Sequence, residues 1–211
     1  MALIRRLVVT RVAASAAVVD GIRSMLTPAS VAVMITDMPI PPAAERFIEH
    51  IGHAADRIPW EYFQLPVFGK EDPIYRERVY CYELYHQLRI LLEEDAALDG
   101  YVLSGEIDKQ GHPVIRPCAP DFVFHNPGAM QNLVIVEVKP INAAIEGVLK
   151  DRETLEYFLS PEIGYQAGIE LIYGQNEKAL AAFQDVFAAA DPERIHLIWH
   201  RQPRVRAIVI R

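Results

Sequence analysis

The chain has 211 residues, 51% of them hydrophobic and 23% charged, and its 21 basic and 28 acidic residues give a net charge of −7. That composition excludes wholesale disorder and suffices for one domain-sized core. It also excludes a uniformly basic nucleic-acid binder: the pI is about 5.5, and such domains usually sit above about 9.

The charge is unevenly placed. Residues 1–30 carry Arg5, Arg6, Arg11 and Arg23 against Asp20, and residues 191–211 carry five Arg against Asp191 and Glu193, so each end is +3 and the middle is −13. Two cysteines, Cys81 and Cys118, are too few for a disulfide framework or a CxxC-type zinc site. They read as small buried residues in a reducing compartment. No apolar run approaches the roughly 18 residues of a membrane span, so no membrane partner is expected. Arg5-Arg6 precedes an apolar stretch, but Arg11 and Asp20 interrupt what a secretory leader needs. A cytoplasmic location is therefore expected.

In chain order, residues 2–26 are compatible with helix or strand, and Val31 to Ile35 with a strand. After the Pro39 to Pro42 breaker, Ala43 to Arg57 reads as a helix with Phe47 and Ile51 on one face. Residues 1–58 form an N-terminal segment to which the sequence assigns no role, and residues 59–211 read as the main domain. Trp60 to Pro66 looks like an irregular aromatic cover. Asp72-Pro73 is expected to open a long helix to about Leu98, closed by Asp99-Gly100.

Beyond Gly100 the pattern turns to strands: Tyr101 to Ile107, Asp121 to His125 and Leu133 to Val138, with Asn126-Pro127-Gly128 turning between the last two. The third run is apolar on both faces, as a central strand is, and Pro140 is expected to stop it. Helices are expected over 141–159 and 176–190, and strands over 166–173, 194–200 and 204–210. The order is that of an α/β domain around a mixed central sheet flanked by helices, α-β-β-β-α-β, with an extra C-terminal helix and strands.

Pro120-Asp121 stands at the start of the second strand, and Glu137-Val138-Lys139 ends the third. Strand alternation sends Glu137 and Lys139 to one face, and a hairpin brings Asp121 toward Glu137. Paired carboxylates repel unless a cation joins them. An oxygen-only donor set suits Mg²⁺, and a lysine beside that ion can orient water or stabilise phosphorane charge. The plain alternative is a cross-strand Glu–Lys pair with Asp121 as a turn acceptor. Chance alone supplies about 0.7 (D/E)xK triplets and about 0.8 Pro-Asp pairs in a chain of this composition, but only roughly 0.05 ordered pairs within such a window.

The arrangement resembles the PD-(D/E)xK nuclease superfamily over residues from about 73 to 175. The resemblance implies a restriction-endonuclease-like core and a Mg²⁺- or Mn²⁺-dependent nuclease with no organic cofactor, acting on DNA in preference to RNA. It assigns Asp121 and Glu137 as metal ligands, with the Val138 carbonyl beside them, and Lys139 as the residue that orients or activates water. Members commonly add an acid from the preceding helix. Glu83 is the best match and Glu77 the second, because Glu83 sits among apolar and aromatic neighbours; its alternative is an ion pair with Arg76 or Arg89. Tyr165 and Gln166 are accessory candidates, as is His86, although their spacing departs from a QxxxY-type motif.

Glu106 and Asp108 read as solvated acids near the first strand's end. Lys150, Arg152, Arg201 and Arg204 are candidate nucleic-acid contacts, and Trp60, Tyr62, Phe63 and Phe68 either stack bases or cover the core. The acidic balance implies weak DNA binding alone, hence a homodimer or a partner subunit. The rival reading is a non-catalytic scaffold of this fold that binds protein or nucleic acid in a defence or repair complex.

Overall fold

The computed structural model describes residues 40–106, 119–128 and 131–211. The expectations for residues 1–39, Ile107, Asp108 and Cys118 lie outside them. Prolines 41 and 42 open helix α1 (Pro42–Arg57), where a missing N–H costs nothing, and Ala44, Phe47, Ile51 and Ala55 form its buried stripe. A single helical turn, α2 (Trp60–Phe63), takes the place of the expected irregular cover. Phe63 is buried edge-to-face against Tyr80, Tyr173 and His200, whereas Phe68 is fully exposed.

Leu65 and Ile74 then exchange antiparallel main-chain hydrogen bonds. That bridge holds the chain extended through Ile74, so helix α3 (Glu77–Glu93) starts at Glu77 rather than at Pro73. It also stops short of Leu98. A 3₁₀ turn, Ala96–Leu98, follows, capped by Asp95, whose side chain accepts the Ala97 N–H.

Six strands form one mixed sheet in sequence order: β1 (Val102–Gly105), β2 (Phe122–Asn126), β3 (Gln131–Pro140), β4 (Ala167–Tyr173), β5 (Ile195–His200) and β6 (Ile208–Val209). β1, β2 and β3 pair antiparallel, β3, β4 and β5 parallel, and β6 closes antiparallel on β5. β3 stops at Pro140, as expected, level with Tyr173 of β4. The last strand is only two residues long, because the chain turns at Arg204, whose φ is 60°.

Helices α4 (Ile145–Phe158) and α5 (Glu177–Phe187) make the two parallel crossovers. Both steps advance the same way across the sheet, so crossovers of one hand place both helices on one face. Val148, Leu155, Phe158, Leu180, Phe183 and Phe187 pack there on Val123, Ile135 and Leu197. On the other face, α1 and α3 cover Phe122, Phe124, Val136, Val138, Ile169 and Leu171. Gly174 carries the chain off β4 at φ 120°, where a Cβ would stand 2.4 Å from Ile141 Cγ2.

Helix α1, read from the sequence as part of the N-terminal segment, belongs to this core. The Phe47 ring stacks on Phe124 at 4.3 Å, and Arg46 and His50 both bind the buried Asp95 carboxylate beyond α3. Phe47→Ala should therefore destabilise the fold by about 3–5 kcal/mol. Urea denaturation followed by circular dichroism measures it; an unchanged midpoint would show that α1 is dispensable.

Candidate functional site

Phe122 pairs with Val136, so Asp121, one residue before β2, is level with Glu137. Side chains alternate along each strand. Val123 and Ile135 face α4 and α5, and Asp121, Glu137 and Lys139 share that parity. β2 begins too late to pair with Val138, whose N–H instead donates to Asp121 Oδ2 at 2.8 Å. Asp121 is thus tied to the strand that carries Glu137.

Lys139 is held by acids from two helices. Its Nζ lies 3.1 Å from Glu77 Oε2 on α3 and 3.0 Å from Asp151 Oδ2 on α4. It also donates to the Val138 carbonyl at 3.3 Å. These groups line a cleft of about 660 Å³ whose rim carries Lys150, Glu153 and an Arg78–Glu106 pair. Beneath it Glu170, in the middle of β4, stands level with Glu137 on the adjacent parallel strand. Glu170 is 0% exposed and neither of its carboxylate oxygens has a hydrogen-bond partner.

Burial dominates the electrostatics. It pushes the Asp121 carboxyl up to about 6, against the Val138 N–H bond and with help from Glu77. Glu137 is raised by burial and then by Asp121 and Asp151, and Glu170 by burial and then by Asp151 and Glu137. Asp151 is raised by burial, with Lys139 opposing. Burial also works to lower Lys139, but Asp151, Glu77 and Asp121 outweigh it, so its ammonium form is favoured beyond the ordinary.

The acid that α3 brings to the cleft is Glu77, not Glu83. Glu77 heads the inward stripe that continues through Cys81, Leu84 and Leu88, whereas Glu83 lies about 120° around the helix. Glu83 instead accepts a hydrogen bond from Gln87 at 2.7 Å, and His86 is exposed. Neither lines the cleft. The structure does not bring Tyr165 or Gln166 to it either. Parallel pairing sets Ala167 opposite Val134, so Gln166 lies about 13 Å down the sheet from Glu137. Tyr165 is packed against Phe158.

Of the basic candidates, Lys150 reaches the rim. Arg152 turns away and donates to the Val186 carbonyl of α5, Arg201 sits over Trp199 and near Glu177, and Arg204 is exposed outside the cleft. Sequence reasoning passed over Asp151 and Glu170. Each has a signal in hindsight: Asp151 interrupts the stripe Val148, Leu155, Phe158, and Glu170 interrupts a seven-residue strand that is otherwise apolar and buried throughout.

As placed, no group of three or more His, Cys, Asp or Glu among the described residues stands in metal-holding geometry. The donor chemistry nonetheless fits a hard dication, because desolvated carboxylates outnumber the one lysine among them. Among the described residues no helix is long and apolar enough to cross a membrane.

The Asp121 value has a signed consequence. The ordinary carboxyl value is 3.8, so between about pH 4 and 6 the folded chain holds more proton than the unfolded one. Stability should fall as pH rises through that window, and Asp121→Asn should flatten the fall. Urea titrations from pH 4 to 7 test this; a rise for the wild type would contradict it. No protein-family model, no curated protein and no solved structure matches the chain.

Proposed function

We propose that this chain is a metal-dependent nuclease of the PD-(D/E)xK type, with a restriction-endonuclease-like core, hydrolysing phosphodiester bonds of DNA in preference to RNA. The observation that carries the reading is that Asp121, Glu137 and Lys139, from paired strands, share one face and one cleft. The cleft lies toward the carboxyl ends of β3 and β4, the usual crevice of open α/β sheets.

In this reading Asp121 and Glu137 hold Mg²⁺ or Mn²⁺. The ion, when bound, supplies charge neutralisation at the scissile phosphate and a more acidic water. Lys139, held as an ammonium by Glu77 and Asp151, orients that water or donates to a phosphate oxygen. The Val138 carbonyl, which already accepts from Lys139, is a further oxygen donor. Glu77 takes the place of the helical acid and keeps Lys139 pointing into the cleft. Lys150 is the rim cation best placed for a phosphate. With one such residue and a net charge of −7, tight DNA binding requires a second copy or a partner subunit.

Supercoiled, linear and single-stranded DNA incubated with Mg²⁺ or Mn²⁺ should be cut by the wild type, and chelation should abolish cutting. Asp121→Asn and Lys139→Ala should each lower the rate by about 100-fold or more. Equal cutting by wild type and variants would identify a contaminant. No cutting of any substrate would put the non-catalytic scaffold ahead.

The two helical acids give a separate comparison. Glu77→Gln should slow cleavage by about tenfold, and Glu83→Gln by no more than about twofold. Single-turnover rates decide between them, and the opposite ranking would return the role to Glu83.

A further inference from the structure

Arg78 lines the cleft from α3 and Lys150 from α4, helices on opposite faces of the sheet. Each is the chain neighbour of an acid that holds Lys139: Arg78 follows Glu77, and Lys150 precedes Asp151. The two cations therefore stand on either side of the central lysine. The nuclease reading uses Lys150 alone, because Arg78 is already engaged. Its Nε donates to Glu106 Oε1 at 2.9 Å.

Both partners of this ion pair stand where local physics disfavours them. Glu106 has φ 45°, a left-handed backbone that suits glycine and strains other residues. It is held there by the site's own strands: Gly105 pairs with Phe122, and the Glu106 N–H donates to the Asp121 carbonyl at 3.0 Å. Arg78 is the second residue of α3, at the positive end of the helix dipole, where a cation is unfavourable. The side chains are 68% and 46% exposed, so their pairing adds little to stability. Two departures from local folding rules thus meet in one contact at the cleft rim, and such departures collect at functional sites. Among the described residues no second acceptor holds the Arg78 guanidinium, which leaves its terminal N–H groups to a ligand.

We propose that Arg78 binds a phosphate of the substrate backbone and that Glu106 is its built-in competitor, holding the guanidinium until that phosphate replaces the carboxylate. An arginine fork fits carboxylate and phosphate alike, so the exchange swaps one charge-assisted hydrogen bond for another. The displaced Glu106 carboxylate is exposed and returns to water at little cost. Lys150 faces a further phosphate from the opposite wall. The latch lowers the affinity of the cleft for DNA and favours a backbone that reaches both walls. This inference rests on the nuclease reading for its ligand and adds the control of its binding.

The test is fluorescence anisotropy of the full chain with Mg²⁺ and a labelled phosphorothioate DNA duplex, whose backbone keeps its charge and resists cutting. Glu106→Gln should bind about fivefold tighter than the wild type, the worth of an exposed ion pair. Glu106→Asn, which suits the positive φ, should do the same and covers a folding failure of the first variant. Arg78→Gln should bind about fivefold weaker, and its log affinity should fall less steeply with log salt, by about one unit of slope. The double variant Arg78→Gln/Glu106→Gln should match Arg78→Gln, because no guanidinium is left to release. If the double variant instead regains the tighter binding, Glu106 acts by plain repulsion and the latch is overturned. Unchanged affinity in both Glu106 variants, or an unchanged salt slope in Arg78→Gln, overturns it as well, while metal-dependent cutting by the wild type keeps the nuclease reading. If the wild type binds DNA without cutting any substrate, the nuclease reading falls and the affinities still decide the latch. If it binds none, both fall.

Discussion

The antiparallel pairing of β2 with β3 is the constraint on which the cleft depends. Phe122 opposite Val136 makes Asp121 level with Glu137, and the Val138 N–H then finds Asp121 Oδ2 where β2 has run out. A slip of one residue would turn Asp121 into the α1–α3 side and Phe122 toward α4. Apolar residues on both faces prevent that slip: Phe122 and Phe124 are locked under α1 and α3, and Val123 and Ile135 under α4. The polar site thus rests on two apolar clusters that take no part in its chemistry.

What those clusters hold in place is unfavourable by itself. Asp121, Glu137, Asp151 and Glu170 all have carboxyl groups raised mainly by burial, around one lysine. A chain selected only for stability has little reason to bury acids this way, and departures from local folding rules tend to collect at functional sites. Lys139 is the joint of the arrangement. It stands one residue before the end of β3, and acids from helices on opposite faces of the sheet meet at its ammonium group. The same contacts that keep it charged also aim it, which suits a donor better than a base.

The overall charge takes on a different meaning in this setting. A net −7 argues against a polyanionic partner when spread over a surface. Here several acids of the central region converge on one cleft, where dications would reverse the local sign. The cationic C-terminal end does not compensate there: Arg201 lies over Trp199, and Arg211 donates to the Ala190 carbonyl.

Much of this was legible in the order of residues. The alternation of strand and helix periods marks the element order, and the spacing of Glu137 and Lys139 marks a shared face, because both are consequences of local geometry. The sequence by itself therefore determined the α/β class, the central strand Leu133 to Val138 and the grouping of Asp121, Glu137 and Lys139. Tertiary structure alone decided which acids surround them. Glu77 and not Glu83 lines the cleft because α3 packs through Tyr80, Cys81, Leu84 and Leu88, and Glu83 lies about 120° around the helix from that stripe. Asp151 joined the cleft, Glu170 came to lie beneath it, and Tyr165 and Gln166 fell at the far end, because parallel register across a crossover is set by the packing of α4 and not by distance along the chain.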